Sequence, residues 1–150
     1  TGALLAMNIE GVGGRKMRDD WDAGPRTYLG LMVAGFAILF TVTGPTSPSV
    51  LANMIPAVEQ HVDWIADLLV HMREKGIARI DADSKAQDEW AEEVQRVANG
   101  TLYPKAKSWY LGDNVPGKPR VILPYLGGFR AYKQTCDSVA ASGYVGFAIA

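Results

Sequence analysis

The chain has 150 residues, of which 48% are hydrophobic and 21% are charged, a composition typical of one globular domain rather than a disordered tail. Its 15 lysine and arginine residues nearly balance 16 aspartate and glutamate residues, so nothing indicates a surface for nucleic acid or an anionic membrane. The single cysteine, Cys136, excludes an internal disulfide bond and favours a reducing, cytoplasmic location. Since helix-forming residues surround Cys136, we expect a small buried side chain rather than a nucleophile.

The N-terminal segment begins at Thr1 without the basic region of a signal peptide, as if it were cut from a longer protein. Residues 4–9 are predicted to form a strand that enters a glycine-rich turn at residues 11–14, where positive φ angles are needed. The glycines of this turn do not have the spacing of the GxGxxG nucleotide-binding fingerprint.

Residues 28–43 form the one membrane-like stretch of the sequence. It is shorter than the roughly 20 apolar residues that a spanning helix needs, and Gly30 and Gly35 interrupt it. Because Gly-Pro pairs flank the stretch, we predict two buried strands joined near Gly35. A membrane-anchored protein remains an alternative that rests on these residues alone.

Helices are predicted after residue 46. Ser47 is expected to cap a first helix with Pro48 at its first position, and Pro56 should kink or restart that helix. Its second piece carries apolar residues at helical spacing between residues 58 and 72 and ends near Gly76.

The C-terminal half continues with a third helix from Ser84, where Gln87 completes a capping box. Residues 101–129 are rich in proline and glycine and are predicted to form a long ordered loop, a type of segment that is usually functional. A last helix over 129–141 and a short strand over 144–149 complete the prediction.

Groups that could form a self-contained catalytic or metal centre are sparse. His61 and His71 lie ten residues apart without a cysteine cluster, which argues against a zinc site. We expect both to be surface or half-buried helical histidines. No other pattern in the sequence predicts a metal site.

Two segments nevertheless have residues suited to binding. Residues 44–49 are predicted to join a buried strand to a helix, and in α/β proteins ligands bind at the carboxyl ends of strands. The N-terminus of a helix there would favour an anion or an electron-rich ring edge, although a plain turn remains the alternative. In the second segment, residues 107–118, Trp109 and Tyr110 either anchor the loop in the core or stack on a planar ligand.

Many short segments of the sequence, in one order over essentially the whole chain, match a known family. They are GPRTYLGL at 24–31, AGF at 34–36, TGP at 43–45, SPSVL at 47–51, NM at 53–54, EQHVDWI at 59–65, GTLYP at 100–104, SWY at 108–110, NVPGKPR at 114–120, CD at 136–137 and GY at 143–144. Together these segments resemble type I Baeyer–Villiger monooxygenases, in the branch of the phenylacetone, cyclopentadecanone and steroid monooxygenases.

This resemblance implies an α/β fold, the C-terminal part of a flavoprotein with two Rossmann-like dinucleotide-binding domains. Residues 1–23 would be the end of the NADP domain or a linker. Residues 24–100 would supply strands that complete the FAD-domain sheet, followed by helices. Residues 101–129 would form a mobile cofactor loop, and residues 130–150 the terminal helix and strand.

The resemblance also implies the chemistry of a whole enzyme that uses FAD and NADPH. NADPH reduces FAD, the reduced flavin captures O₂ as a C4a-peroxide, and the peroxide attacks a ketone to give an ester or lactone. The nucleotide fingerprints and the arginine that stabilises the peroxyflavin would lie in a missing N-terminal part, so no catalytic residue is expected here. The chain alone is expected to be inactive and to bind no flavin stably.

Five site residues follow from matching positions. Met54 matches a position whose backbone meets the flavin ring. Ser49, Val50 and Leu51 match a bulge that lines the ketone pocket, and Trp109 matches a tryptophan on a loop that closes over NADP. These assignments are implied by the resemblance alone.

The sequence departs from the family pattern at three places. Ala37 and Ile38 stand where relatives usually have proline and asparagine, Thr46 replaces a usual glycine, and Asp113 replaces a common alanine. Thr46 matters most, because glycine permits positive φ and close backbone approach. The alternatives for function are an N- or S-oxygenating flavin monooxygenase and a non-catalytic helical interaction module.

Overall fold

The structure, a computed structural model, describes residues 2–49, 51–106, 109–112 and 119–150. Helices and a small sheet occur together, which confirms the α/β class. The helices are α1 (Gly2–Ala6), α2 (Met17–Asp20), α3 (Met54–Lys75), α4 (Ser84–Asn99) and α5 (Phe129–Ala141), and the strands are β1 (Ile80–Ala82) and β2 (Phe147–Ile149). The strands pair antiparallel, with Ile80 opposite Ile149 and Ala82 opposite Phe147.

The predicted strand pair over residues 28–43 is wrong in conformation, and its predicted burial is right for part of the segment, since Ile38 and Val42 are exposed. The segment folds as successive turns linked only by isolated bridges from Met32 to Tyr28 and to Phe40. Leu29 and Gly30 both have positive φ angles, which turn the chain back on itself and prevent an extended ladder. Residues 28–34 are nevertheless buried. No helix in the described parts of the chain has the length and apolar character to cross a membrane.

The predicted strand over residues 4–9 is also wrong. Helix α1 occupies the start of that segment, and a short 3₁₀ turn, Val12–Gly14, follows. Gly13 and Gly14 have φ angles of 70° and 81°, so the predicted need for positive φ in this turn is confirmed.

Helix α3 begins six residues later than predicted, because Asn53 rather than Ser47 caps it. The Asn53 side chain accepts a hydrogen bond from the Ile55 N–H at 3.1 Å. Pro56 therefore lies in the first turn of the helix, where its missing N–H breaks no helical hydrogen bond. The helix continues through it without the expected kink. Gly76 ends the helix in the left-handed region, as predicted.

Helix α4 begins at Ser84 as predicted, but its cap is one residue earlier. The Asp83 carboxylate accepts from the Ala86 N–H at 2.9 Å. Gln87 does not complete a capping box, since its side-chain oxygen accepts from the Ala34 N–H at 2.8 Å. That contact ties helix α4 to the buried turns. Helix α5 has the predicted bounds, and the predicted terminal strand is reduced to β2.

The main core lies where helices α3, α4 and α5 meet the buried turns. Trp64, Trp90 and Tyr132 are among its large aromatic members. Cys136 belongs to the same core, and burial raises the pKa of its thiol to about 11. The predicted burial of the small Cys136 side chain is thus confirmed.

The apolar residues of helix α3 lie on two faces. Leu68 and Met72 are buried, whereas Val58, Val62 and Leu69 are exposed. Sequence spacing had grouped all of these into one stripe. A second apolar face therefore lies open in the described chain.

Candidate functional site

A cleft of about 510 Å³ opens beside the segment that follows the buried turns. One wall comes from residues 40–49, and the other from Tyr110 and the pair Leu123 and Pro124. The lining residues are Leu4, Phe40, Thr41, Val42, Thr43, Gly44, Pro45, Ser47, Ser49, Tyr110, Leu123 and Pro124. Its apolar character suits a small, weakly polar organic molecule.

The structure brings two of the predicted regions to this cleft. Ser49 lines one wall, and Tyr110, the neighbour of Trp109, lines the other. The backbone of Trp109 begins a short 3₁₀ helix, Trp109–Leu111, and its side chain lies outside the described residues. Val50 lies outside the described residues as well.

Leu51 and Met54 are not among the residues that line the cleft. Leu51 is 58% exposed and Met54 is 41% exposed, at the start of helix α3. Both are therefore available to a group that lies against the beginning of this helix.

The predicted strand-to-helix junction at residues 44–49 is an irregular turn. Thr43 and Thr46 have φ angles of 52° and 69°. Among the described residues, no regular strand leads into residues 44–49, and no helix begins at Pro48. The segment still provides much of the cleft wall, so its prediction as a ligand-facing region has geometric support although its secondary structure was wrong.

A chain of buried hydrogen bonds holds this wall from behind. The Thr27 hydroxyl donates to the Pro45 carbonyl at 2.7 Å and accepts from the Gly30 N–H at 2.9 Å. Because the single hydroxyl proton of Thr27 is used in that way, the Thr46 hydroxyl donates to Thr27 across 2.6 Å. The Thr46 oxygen in turn accepts from the Trp90 indole N–H at 3.1 Å.

His61 anchors the beginning of the same wall. Its Nδ1 accepts from the Thr43 N–H at 2.8 Å, which leaves the proton on Nε2. That Nε2–H therefore donates to the Tyr132 oxygen at 2.7 Å, and the Tyr132 hydroxyl donates to the Leu29 carbonyl at 2.5 Å. Burial lowers the pKa of His61 to about 4, so the imidazole is neutral at pH 7.

The expectation that His61 is a surface or half-buried residue is wrong, since its side chain is completely buried. His71 is partly buried, as expected. In the described ranges, no group of three or more histidine, cysteine, aspartate or glutamate side chains is arranged to hold a metal ion.

Aromatic packing and backbone pairing complete the wall. The Trp90 ring stacks on Tyr125 with centroids 5.2 Å apart and planes 24° apart. The Tyr125 N–H donates to the Ser47 carbonyl at 3.0 Å. Sequence reasoning missed this arrangement, because Trp90, Tyr125 and Ser47 are far apart in the sequence and meet only in the folded chain.

The start of helix α3 suits an aromatic ring edge. The first N–H groups of a helix have no partner within that helix. In helix α3 the Ile55 N–H binds the Asn53 side chain, and Pro56 has no N–H. Met54, at the first position, therefore offers the N–H among these three residues. Leu51 and Ile55 expose apolar side chains beside it. These features fit the ring system of a flavin, whose edge accepts hydrogen bonds and whose faces are apolar.

Several enzymes are similar to this chain over nearly its whole length, although no protein-family model matches it. Acetone monooxygenase (methyl acetate-forming) of Gordonia sp. is 40% identical over 150 residues, which are 99% of this chain and 28% of the relative. A Baeyer–Villiger monooxygenase of Pseudooceanicola batsensis is 37% identical over 95% of this chain and 26% of its own length. Cyclohexanone 1,2-monooxygenase of Acinetobacter sp. is 35% identical, over 99% and 27% respectively.

Solved structures give the same result. A closed cyclohexanone monooxygenase superposes with a TM-score of 0.94 at 38% identity, over 99% of this chain and 28% of the other. Steroid monooxygenase bound to NADP gives a TM-score of 0.90 at 48% identity, over 99% and 27%. The chain thus spans little more than a quarter of the length of these relatives.

Proposed function

We propose, since the homologues of this chain are Baeyer–Villiger monooxygenases, that it is one part of an FAD- and NADPH-dependent enzyme that converts a ketone to an ester or lactone. In the overall reaction, ketone, O₂, NADPH and a proton give the ester, NADP⁺ and water. The observation that carries the proposal is the similarity of the whole chain to this family, together with a cleft wall at residues 40–49. The remaining part of the same protein would supply the nucleotide-binding fingerprints and the catalytic arginine.

The similarity to this family also suggests which domain each segment of the chain belongs to. We assign residues 1–23 to the end of the NADP domain or a linker and residues 24–100 to the FAD domain. Residues 101–129 would be the cofactor loop, and residues 130–150 a terminal helix and strand. The open apolar face of helix α3 supports this assignment, because an exposed face of this kind normally packs against another surface.

The proposed roles of individual residues are to bind and orient. Met54 would contact FAD at the start of helix α3, where its backbone position suits a ring edge. Ser49, Val50 and Leu51 would bound the ketone, and Trp109 would lie against NADP. Bound FAD would supply the activation of O₂, with electrons from NADPH.

The residues of this chain would form one wall of the reaction site and help to exclude water from it. Behind the cleft wall, the polar groups of Thr27, Thr46 and His61 are paired with protein partners, so the wall is held by the protein itself. A rigid wall of this kind holds a substrate in one orientation and keeps solvent from a reactive centre.

Oxidation of a nitrogen atom is the second candidate. A phenazine N-monooxygenase of Lysobacter antibioticus is 34% identical to this chain over 146 residues. A ring nitrogen would then replace the ketone carbonyl as the group that is oxidised, with the same cofactors.

Expression of residues 1–150 alone tests whether this segment carries a complete site. We expect a colourless protein, because the nucleotide fingerprints are not in this sequence. A yellow protein that consumes NADPH would contradict the assignment of cofactor binding to another part.

A chimera tests the function directly. Residues 1–150 would replace the homologous quarter of the Acinetobacter cyclohexanone monooxygenase, with that parent enzyme as the control. We expect the chimera to retain flavin and to oxidise NADPH in a ketone-dependent manner, with an ester or lactone as product. Retained flavin without ketone oxidation, but with conversion of a phenazine to its N-oxide, would favour the second candidate.

A further inference from the structure

Thr46 has a backbone conformation that is rare for its residue type. Its φ angle is 69°, in the left-handed region, and its side chain is 3% exposed. A β-branched residue is strained there, because its Cβ substituents crowd the adjacent peptide groups. Strain of this kind persists only where surrounding contacts hold it, and it occurs often at binding sites.

The hydroxyl group of Thr46 makes the contacts that hold it. It donates to Thr27 and accepts from the Trp90 indole N–H. Both partners lie in the core, and each would lose a hydrogen-bond partner if the hydroxyl were removed.

The backbone of Thr46 joins the two walls of the cleft. Its neighbours Pro45 and Ser47 line one wall, and its own N–H donates at 2.7 Å to the carbonyl of Leu123, which lines the other. The Leu123 N–H continues this connection to the Tyr110 carbonyl at 3.1 Å. A shift of Thr46 therefore changes the separation of the walls.

We propose that Thr46 is a positioning residue that sets the width of the cleft and thereby the size of the ketone that it accepts. This inference rests on the proposed function. Thr46 acts through its neighbours, since its own side chain points to Thr27 and Trp90 rather than lining the cleft.

Three substitutions in the full-length protein separate strain from hydrogen bonding. T46S keeps the hydroxyl, T46V keeps the branched shape without it, and T46G removes both the hydroxyl and the strain. T46G adopts the backbone conformation freely, so it provides a folded variant even where T46V is unstable.

The readouts are kcat and KM for one compact and one bulky cyclic ketone. We expect T46V and T46G to raise the kcat/KM ratio of bulky to compact ketone about fivefold, the equivalent of one buried hydrogen bond, with the change mainly in KM. T46S should stay within about twofold of the wild type. A ratio that stays within about twofold in both T46V and T46G would overturn the proposal.

Hydrogen exchange of the Trp90 indole N–H, assigned with a W90F variant, separates this inference from the proposed function. Exchange should be slow in the wild type and T46S and fast in T46V and T46G. If the wild type oxidised no ketone but this pattern held, the proposed function would be wrong, whereas the hydrogen bond by which Thr46 is held to Trp90 would stand. Slow exchange in all variants would overturn the positioning role of Thr46.

Discussion

At the scale of single residues, left-handed conformations are stabilised in different ways. Thr43 and Thr46 have positive φ angles. The Thr43 N–H donates to His61, and the Thr46 hydroxyl accepts from the Trp90 indole N–H, and these hydrogen bonds hold both residues in place. Ile38 has a φ angle of 61° with a side chain that is 52% exposed. Its Cβ strain is thus not offset by comparable burial of the side chain. Asparagine, which the family pattern usually has here, enters this region more readily.

We expect I38N to stabilise the protein. Relief of the left-handed strain should raise the free energy of unfolding by about 1 kcal/mol. I38V is the matched control, since it keeps the branched Cβ and should give no such gain. Urea denaturation of the three proteins measures the difference, and an I38N protein no more stable than I38V would contradict the strain argument.

His61 makes the stability of the fold depend on pH. Its pKa is about 4 in the folded protein, below the ordinary value of 6.5, because burial disfavours the charged imidazole. The unfolded chain therefore takes up the proton first as the pH falls. The stabilisation is complete above pH 6.5 and is lost between pH 6.5 and 4, to a total of roughly 3 kcal/mol.

An H61N variant should lose this part of the pH dependence. Its free energy of unfolding should be lower than that of the wild type at pH 7, and the two values should converge as the pH falls from 6.5 towards 4. H71N, which removes the other histidine, is the control. A constant difference between wild type and H61N across this range would show that proton uptake by His61 does not carry the effect.

At the scale of elements, helix boundaries depend on side chains just outside the apolar pattern. Asp83 caps helix α4, whereas Ser84, which the sequence indicated, is its exposed first residue. Gln87, freed from the capping box, binds the Ala34 N–H and joins the helix to the buried turns. Local spacing does not distinguish two adjacent capping candidates, since both are suitable residue types.

Substitution of Asp83 and of Ser84 by alanine tests which of the two caps helix α4. We expect D83A to lower the free energy of unfolding by about 1 kcal/mol, because the Ala86 N–H loses its partner. S84A should have little effect and is the matched control. Thermal unfolding measures both, and a larger loss in S84A than in D83A would contradict the assigned cap.

At the scale of the whole molecule, the open face of helix α3 is the main feature. Ile55, Val58, Val62 and Leu69 recur at helical spacing and are exposed, opposite the buried face that contains Leu68. A continuous apolar stripe of this length favours association with another surface.

We therefore expect residues 1–150, expressed alone, to self-associate. The double variant V62K and L69K should shift the protein towards the monomer in sedimentation velocity, because charged groups on this face oppose its burial. Q134K, which adds a charge at an exposed position on helix α5, is the control. Equal association in the double variant and the wild type would show that this face is not responsible.

Several features that depend on neighbouring residues were predicted from the sequence, and features that depend on distant residues were not. Helix α5 and the end of α3 at Gly76 were predicted, because periodicity and termination act over a few residues. Residues 28–43 were predicted to be buried strands, and the structure shows turns of which residues 28–34 are buried. Their apolar content determines burial, whereas successive positive φ angles depend on partners far along the chain.

By itself, the sequence determined the α/β class and the resemblance to a family, and it indicated residues 44–49 as one of two segments suited to binding. Only the tertiary structure decided that His61 is buried, which face of helix α3 is covered, and that Thr46 connects Thr27 to Trp90. The physical reason is that local propensity and spacing are fixed by neighbouring residues. A buried hydrogen bond between positions 46 and 90 exists only once the intervening chain has folded and excluded water.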